Sequence, residues 1–187
     1  RLFSLFVGSN GLVPVSVMQA VVVLHFFIAL CSMYALTRKL KISILGSIIS
    51  AVSYGFSFSL VLQAIHPMIL AHLSWFPLVV MFLYAAVTEG DLKSGILGGL
   101  IFGMSVLYGH PQTLLYEGIF LGAFALWYFI DGIGKQEYKL FKTAPNPEQN
   151  TNTHVNIIKV ILAVLLVFVI GAGIFQIQYQ HTNEFTD

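Results

Sequence analysis

Charge is what this chain lacks most. Only 9% of its 187 residues are Asp, Glu, Lys or Arg, whereas a soluble globular domain carries about 25%. A chain so poor in charge cannot cover a water-facing surface, so lipid is its expected solvent. It has one cysteine, Cys31, which excludes an intrachain disulfide and a cysteine-only metal site. No P-loop, nucleophile elbow or dinucleotide fingerprint occurs in a fitting context. A net charge of +1 offers no basic surface for nucleic acid.

What the chain has instead is 57% hydrophobic residues and a mean hydropathy of +0.85. Several apolar runs are long enough to cross the roughly 30 Å hydrocarbon core of a bilayer. The pattern predicts an all-α, polytopic transmembrane helical bundle of about six spans, forming part of one transmembrane domain over 1–187. The expected spans are 12–37, 42–63, 73–88, 94–109, 111–130 and 157–177, with a hydrophilic linker at 131–156. The first residue is Arg1 rather than Met, and the chain is expected to be an internal fragment.

Orientation follows from the loops. Arg38, Lys39, Lys41, Lys93, Lys135, Lys139, Lys142 and Lys159 fall on one side, and only Arg1 falls on the other. Basic residues concentrate on the cytoplasmic side. The reading therefore places 89–93 and 131–156 in the cytoplasm and 109–112 and 180–187 outside.

Small residues mark two helix faces. Ser43, Ser47, Ser50, Ser53 and Ser57 recur at helical spacing in the second span, and Gly95, Gly99 and Gly103 recur in the fourth. Both patterns predict close helix–helix contact, because small side chains let backbones approach. A substrate path is the alternative for the serine stripe. Mid-span His25 is expected to face the bundle interior and bond a neighbouring helix.

The informative polar residues gather at the outer side. His66, His72, His110 and His181 all fall there under the predicted topology, and Glu117 lies inside the fifth span. A carboxylate in hydrocarbon costs on the order of 2.5–3.5 kcal/mol on insertion scales. Glu117 should therefore face the interior, as a functional residue or as an interhelical hydrogen-bonding group. Gly109-His110-Pro111-Gln112 forms a turn into that span, and its His and Gln are not required to make the turn. Together these residues predict a polar cavity bounded by 63–72, 109–117 and 176–184. No pair of histidines has a metal-ligand spacing, so no metal site is expected.

Gly109-His110-Pro111-Gln112 after a glycine-rich short span resembles the bacterial YfhO family of membrane proteins, as does Ala71-His72-Leu73-Ser74-Trp75-Phe76-Pro77. The stretch Gln178-Tyr179-Gln180-His181-Thr182-Asn183-Glu184 is similar to that family's post-helix segment, with His181 where the family usually carries Pro. The resemblance runs over essentially the whole chain.

It implies a GT-C-like fold and a glycosyltransferase in the bacterial cell membrane. Such an enzyme would move a sugar from a polyprenyl-phosphate donor to an envelope polymer such as lipoteichoic acid, on the extracytoplasmic side. It implies a catalytic carboxylate upstream of Arg1, no organic cofactor, and an open question over a divalent metal. The expected substrate-binding residues are His110, Gln112, Glu117, His66, His72, His181 and Glu184. A membrane transporter or a flippase for lipid-linked sugars is the alternative, and would predict paired broken helices or an internal repeat.

Overall fold

The computed structural model describes residues 14–89, 91–107 and 110–142, with residues 162, 165–167, 169, 170 and 173. The chain is an all-α helical bundle, with no strand among the described residues. It divides into two compact units, Arg1–Pro77 and Leu78–Asp187. Helix α1 covers Val15–Lys39, α2 covers Ile44–Gly55, and α3 covers Phe58–Leu62, followed by a 3-10 turn at Gln63–Ile65. Helix α4 covers Pro67–Glu89, α5 covers Leu92–Val106, and α6 covers Pro111–Lys142.

Polarity is arranged for lipid. Leu24, Phe27, Leu45, Ile49 and Val52 are exposed, while His25, Ser32, Thr37, Ser47, His72, Ser74, Ser94, Ser105 and Glu117 are buried. In water an apolar surface of that kind would drive aggregation. In hydrocarbon it carries no penalty, and polar groups turn inward to find partners. Val15–Lys39, Ile44–Ile65 and Pro67–Glu89 are long and apolar enough to cross a membrane, and Leu92–Ser105 is a shorter apolar helix.

In the first unit, Ala29, Leu60 and Leu70 form a buried cluster against Val22, Phe26, Tyr54 and Leu73. The second predicted span is not one helix. It breaks at Phe56–Ser57, where the Ser57 side chain accepts from Leu60 N–H and starts α3. Ser43 caps α2 in the same way, accepting from Gly46 N–H. The serine stripe is thus not one contact face. Two of its members are helix caps, Ser53 is exposed, and Ser50 donates back to Gly46 O at 2.8 Å. Only Ser47 is fully buried.

The third span begins earlier than its composition predicts. Helix α4 starts at Pro67 rather than at residue 73, and His72 and Trp75 lie within it. Proline is favoured at the first helical position because its missing N–H would have no partner there. The helix also runs through Pro77. A proline at 77 cannot donate to the carbonyl of Leu73. The Tyr54 hydroxyl does so instead, at 2.7 Å, and Ser32 Oγ donates to the next carbonyl, Ser74 O, at 2.8 Å. Side chains of α2 and α1 thereby satisfy backbone groups around the proline, which is how an apolar medium tolerates one.

In the second unit, α5 has 15 residues and spans about 22 Å, shorter than a full crossing. Its glycines hold neighbours close. A Cβ at Gly99 would lie 2.9 Å from Leu166 O and 3.1 Å from Val167 Cα. A Cβ at Gly98 would lie 3.1 Å from Phe82 Cβ of α4. Gly95 and Gly103 are buried as well. Tyr128 of α6 meets Tyr84 of α4 edge-on, with ring centroids 5.7 Å apart.

Helix α6 continues to Lys142, twelve residues beyond the expected end of its span at 130. A change from apolar to charged residues does not stop a helix. Lys135, Lys139 and Lys142 recur at helical spacing, and no proline occurs between Pro111 and Pro145. The remainder of the linker, from 143 on, and most of the sixth span lie outside the described residues.

The turn into α5 carries a testable charge. Asp91 accepts from Lys93 N–H at 3.1 Å and Ser94 N–H at 3.2 Å, and Ser94 Oγ donates to it at 2.6 Å. The Ser94 hydroxyl is the main cause holding the Asp91 carboxyl below its ordinary value. Desolvation opposes it, and the two backbone N–H groups and the Lys93 charge add to the lowering. Since the folded form favours the carboxylate, its stabilisation is present above the ordinary carboxylate pKa and is lost as pH falls through the lowered folded value. Asp91→Ala should lower the unfolding midpoint at neutral pH, and Asp91→Asn should largely retain it, because Asn also caps. The difference between wild type and Asp91→Ala should shrink in acid. A pH-independent difference would show that the capping charge plays no part.

Candidate functional site

The start of α6 is built by His110. Its Nδ1 accepts from Thr113 N–H at 3.3 Å and lies 2.7 Å from Thr113 Oγ1. A backbone N–H can only donate, so Nδ1 is the unprotonated nitrogen and the ring proton sits on Nε2. His110 thus caps the helix with one nitrogen and retains a donor on the other. The turn does use its histidine, contrary to the expectation from sequence, because Pro111 opens a helix whose third residue is Thr113 and a side-chain acceptor at 110 reaches the free N–H there.

Gln112 is exposed on the first turn of α6, and its Nε2 donates to the Tyr116 hydroxyl at 3.0 Å. This exposed pair lies one helical turn apart. Glu117 follows on α6 but is buried, at 6% exposure. Glu117 therefore does not share the open face of Gln112. The local site is a capped helix entrance with two outward polar side chains, followed by an acid turned inward.

His66 and His72 belong to the first unit, and His110, Gln112 and Glu117 to the second. His66 is exposed before α4, and its carbonyl accepts from Leu70 N–H at 3.0 Å. His72 is fully buried inside α4. It is a helix residue on a packed face, not a loop residue at an open rim, because α4 begins six residues earlier than expected. His181 and Glu184 lie outside the described residues, as does the 176–184 border of the expected cavity. His25 is buried as expected, and its Nδ1 bonds Val21 O of its own helix at 2.7 Å. Among the described residues no group of three His, Cys, Asp or Glu side chains could hold a metal ion.

Thr113 and Tyr116 are the residues that sequence reasoning missed. The signal for Thr113 was present: a hydroxyl residue three positions after His110, in the first turn after a proline. Tyr116 is recognisable only as the i+4 neighbour of Gln112.

Among the described residues, apolar outward faces, buried polar side chains and three helical segments of crossing length mark an all-helical membrane protein. Comparison with family models, with curated proteins and with solved structures finds no match for the chain.

Proposed function

We propose that the chain belongs to a multi-pass glycosyltransferase of the YfhO type in a bacterial cell membrane. Its donor is a sugar on polyprenyl phosphate, and its acceptor is an envelope polymer such as lipoteichoic acid. The observation that carries this reading is Glu117, an acid buried on an apolar helix, one and a half turns below an entrance with a histidine donor. An ionisable residue at such a place is costly and usually functional.

In the proposed reaction the acceptor hydroxyl attacks the anomeric carbon and the bond from that carbon to the phosphate oxygen breaks. The polyprenyl phosphate leaves, and a carboxylate expected upstream of Arg1 takes the hydroxyl proton. The Nε2–H of His110 and the Gln112 amide would contact phosphate or sugar oxygens, supplying hydrogen bonds where charge collects. Glu117 would orient the helix entrance from below. It is a positioning residue in this scheme.

The test is Glu117→Gln in a full-length protein that contains this chain. The change keeps the shape and removes the charge. Sugar transfer should fall about tenfold or more, the scale on which misplaced reacting groups lose rate, with the amount of folded protein unchanged. Unchanged transfer, with Glu117→Leu merely lowering the folded amount, would make Glu117 a structural residue and defeat the assignment.

A second reading has one observation in its favour. The Ile44–Ile65 span is broken at Phe56–Ser57, and broken helices build the substrate sites of transporters. Movement of a labelled polyprenyl-phosphate sugar across sealed vesicles, with no acceptor present, would favour a flippase over a transferase.

A further inference from the structure

The end of α1 combines three cations with an unusual backbone. Lys41 N–H bonds Arg38 O at 3.0 Å and Ile42 N–H bonds Thr37 O at 3.1 Å. This is the paired pattern that closes a helix when the residue after the C-cap is left-handed. That residue is Lys41, with φ of 63°. Glycine is the ordinary occupant, because a Cβ is disfavoured there. The chain holds a lysine where glycine would relax the turn, and a strained residue kept in place points to a use for its side chain.

The surroundings identify that use. Arg38, Lys39 and Lys41 lie within four positions at the end of a helix of membrane-crossing length. Arg38 Nη1 donates to Ile42 O at 2.6 Å, which ties the guanidinium to the turn. Leu40, Ile42, Ile44 and Leu45 are exposed around it. Cations set among exposed aliphatic side chains match the boundary where headgroups meet acyl chains.

We infer that the Arg38–Ile42 turn is a binding site for the headgroup phosphate of an anionic phospholipid, with Lys41 as its specific contact. The aliphatic side chains take the acyl region and the cations take the phosphate. This site is independent of the transferase reading, since it lies on different residues and needs no reaction.

The experiment uses the full chain with Leu40→Trp as a reporter and Trp75→Phe and Trp127→Phe to remove the native signals. The protein is reconstituted in phosphatidylcholine containing brominated phosphatidylglycerol or brominated phosphatidylcholine. Quenching should favour phosphatidylglycerol. One cation near an anionic surface contributes about a fivefold preference, so Lys41→Gly and Lys41→Gln should each lower the preference about fivefold, and Lys41→Arg should keep it. In neutral detergent Lys41→Gly should also raise the unfolding midpoint by about 2–4 °C, while Lys41→Gln should not. A variant more stable yet poorer in anionic lipid is the signature of strain kept for binding. Equal quenching by the two lipids would overturn the inference, as would a preference untouched by Lys41→Gly. Abolition of the preference by inorganic phosphate at matched ionic strength would also overturn it, by assigning the turn to the free anion.

Discussion

Replacing Gly99 with leucine should leave no folded protein recoverable in detergent, and replacing it with alanine should destabilise the second unit by about 1–3 kcal/mol. The reason is that the atoms met by a new Cβ, Leu166 O and Val167 Cα at 2.9 and 3.1 Å, belong to backbone. A flexible side chain could turn aside, whereas a helix backbone must translate as a whole. The loss should appear despite an opposing gain, since alanine exceeds glycine in helix propensity by up to about 1 kcal/mol. Gly118 and Gly122 isolate that gain, because a Cβ at either meets nothing within 4 Å. Gly118→Ala and Gly122→Ala should be neutral or stabilising in the same unfolding titration. A Gly99→Ala protein as stable as Gly118→Ala would show that α5 does not approach the 166–170 segment as closely as described.

Removing the Tyr54 hydroxyl should cost about 1–2 kcal/mol, and the cost should depend on Pro77. In the wild type, Leu73 O has lost its helical donor to the proline, and Tyr54 supplies the replacement at 2.7 Å. Tyr54→Phe leaves a carbonyl without a strong donor in an apolar interior. Pro77→Ala restores an N–H at the fourth position after Leu73, so the carbonyl regains its ordinary partner. Tyr54→Phe should therefore cost markedly less in the Pro77→Ala background, and a double-mutant cycle measures the coupling. Equal costs in both backgrounds would separate the two residues and leave the passage of α4 through a proline unexplained. Ser32→Ala, which removes the donor to Ser74 O, should show a smaller coupling of the same sign.

These two sites mark the boundary between what pattern conveys and what packing decides. A glycine at every fourth position of α5 predicted a contact face, and Gly99 meets backbone as that pattern requires. The same logic failed for the serines of α2 and α3. Serine serves equally as a small packing residue, a helix cap and a donor to its own helix, and spacing does not separate these uses. His110 illustrates the same ambiguity. Its place in a turn that does not require it suggested a ligand-facing side chain, and half of its imidazole proves to be occupied in starting α6.

Composition alone determined that this is an all-helical protein with lipid-facing helices. Nine per cent charge cannot solvate a fold of this length, and long apolar runs in hydrocarbon must satisfy their backbone groups internally. That constraint is local, so it is legible in linear sequence. Tertiary structure decided the passage of α4 through Pro77, where side chains of other helices reach the carbonyls of Leu73 and Ser74. Composition cannot reveal this because it turns on whether a particular donor reaches a particular carbonyl. For Leu73 that donor lies nineteen residues away, on another helix. Only folding brings it within 3 Å.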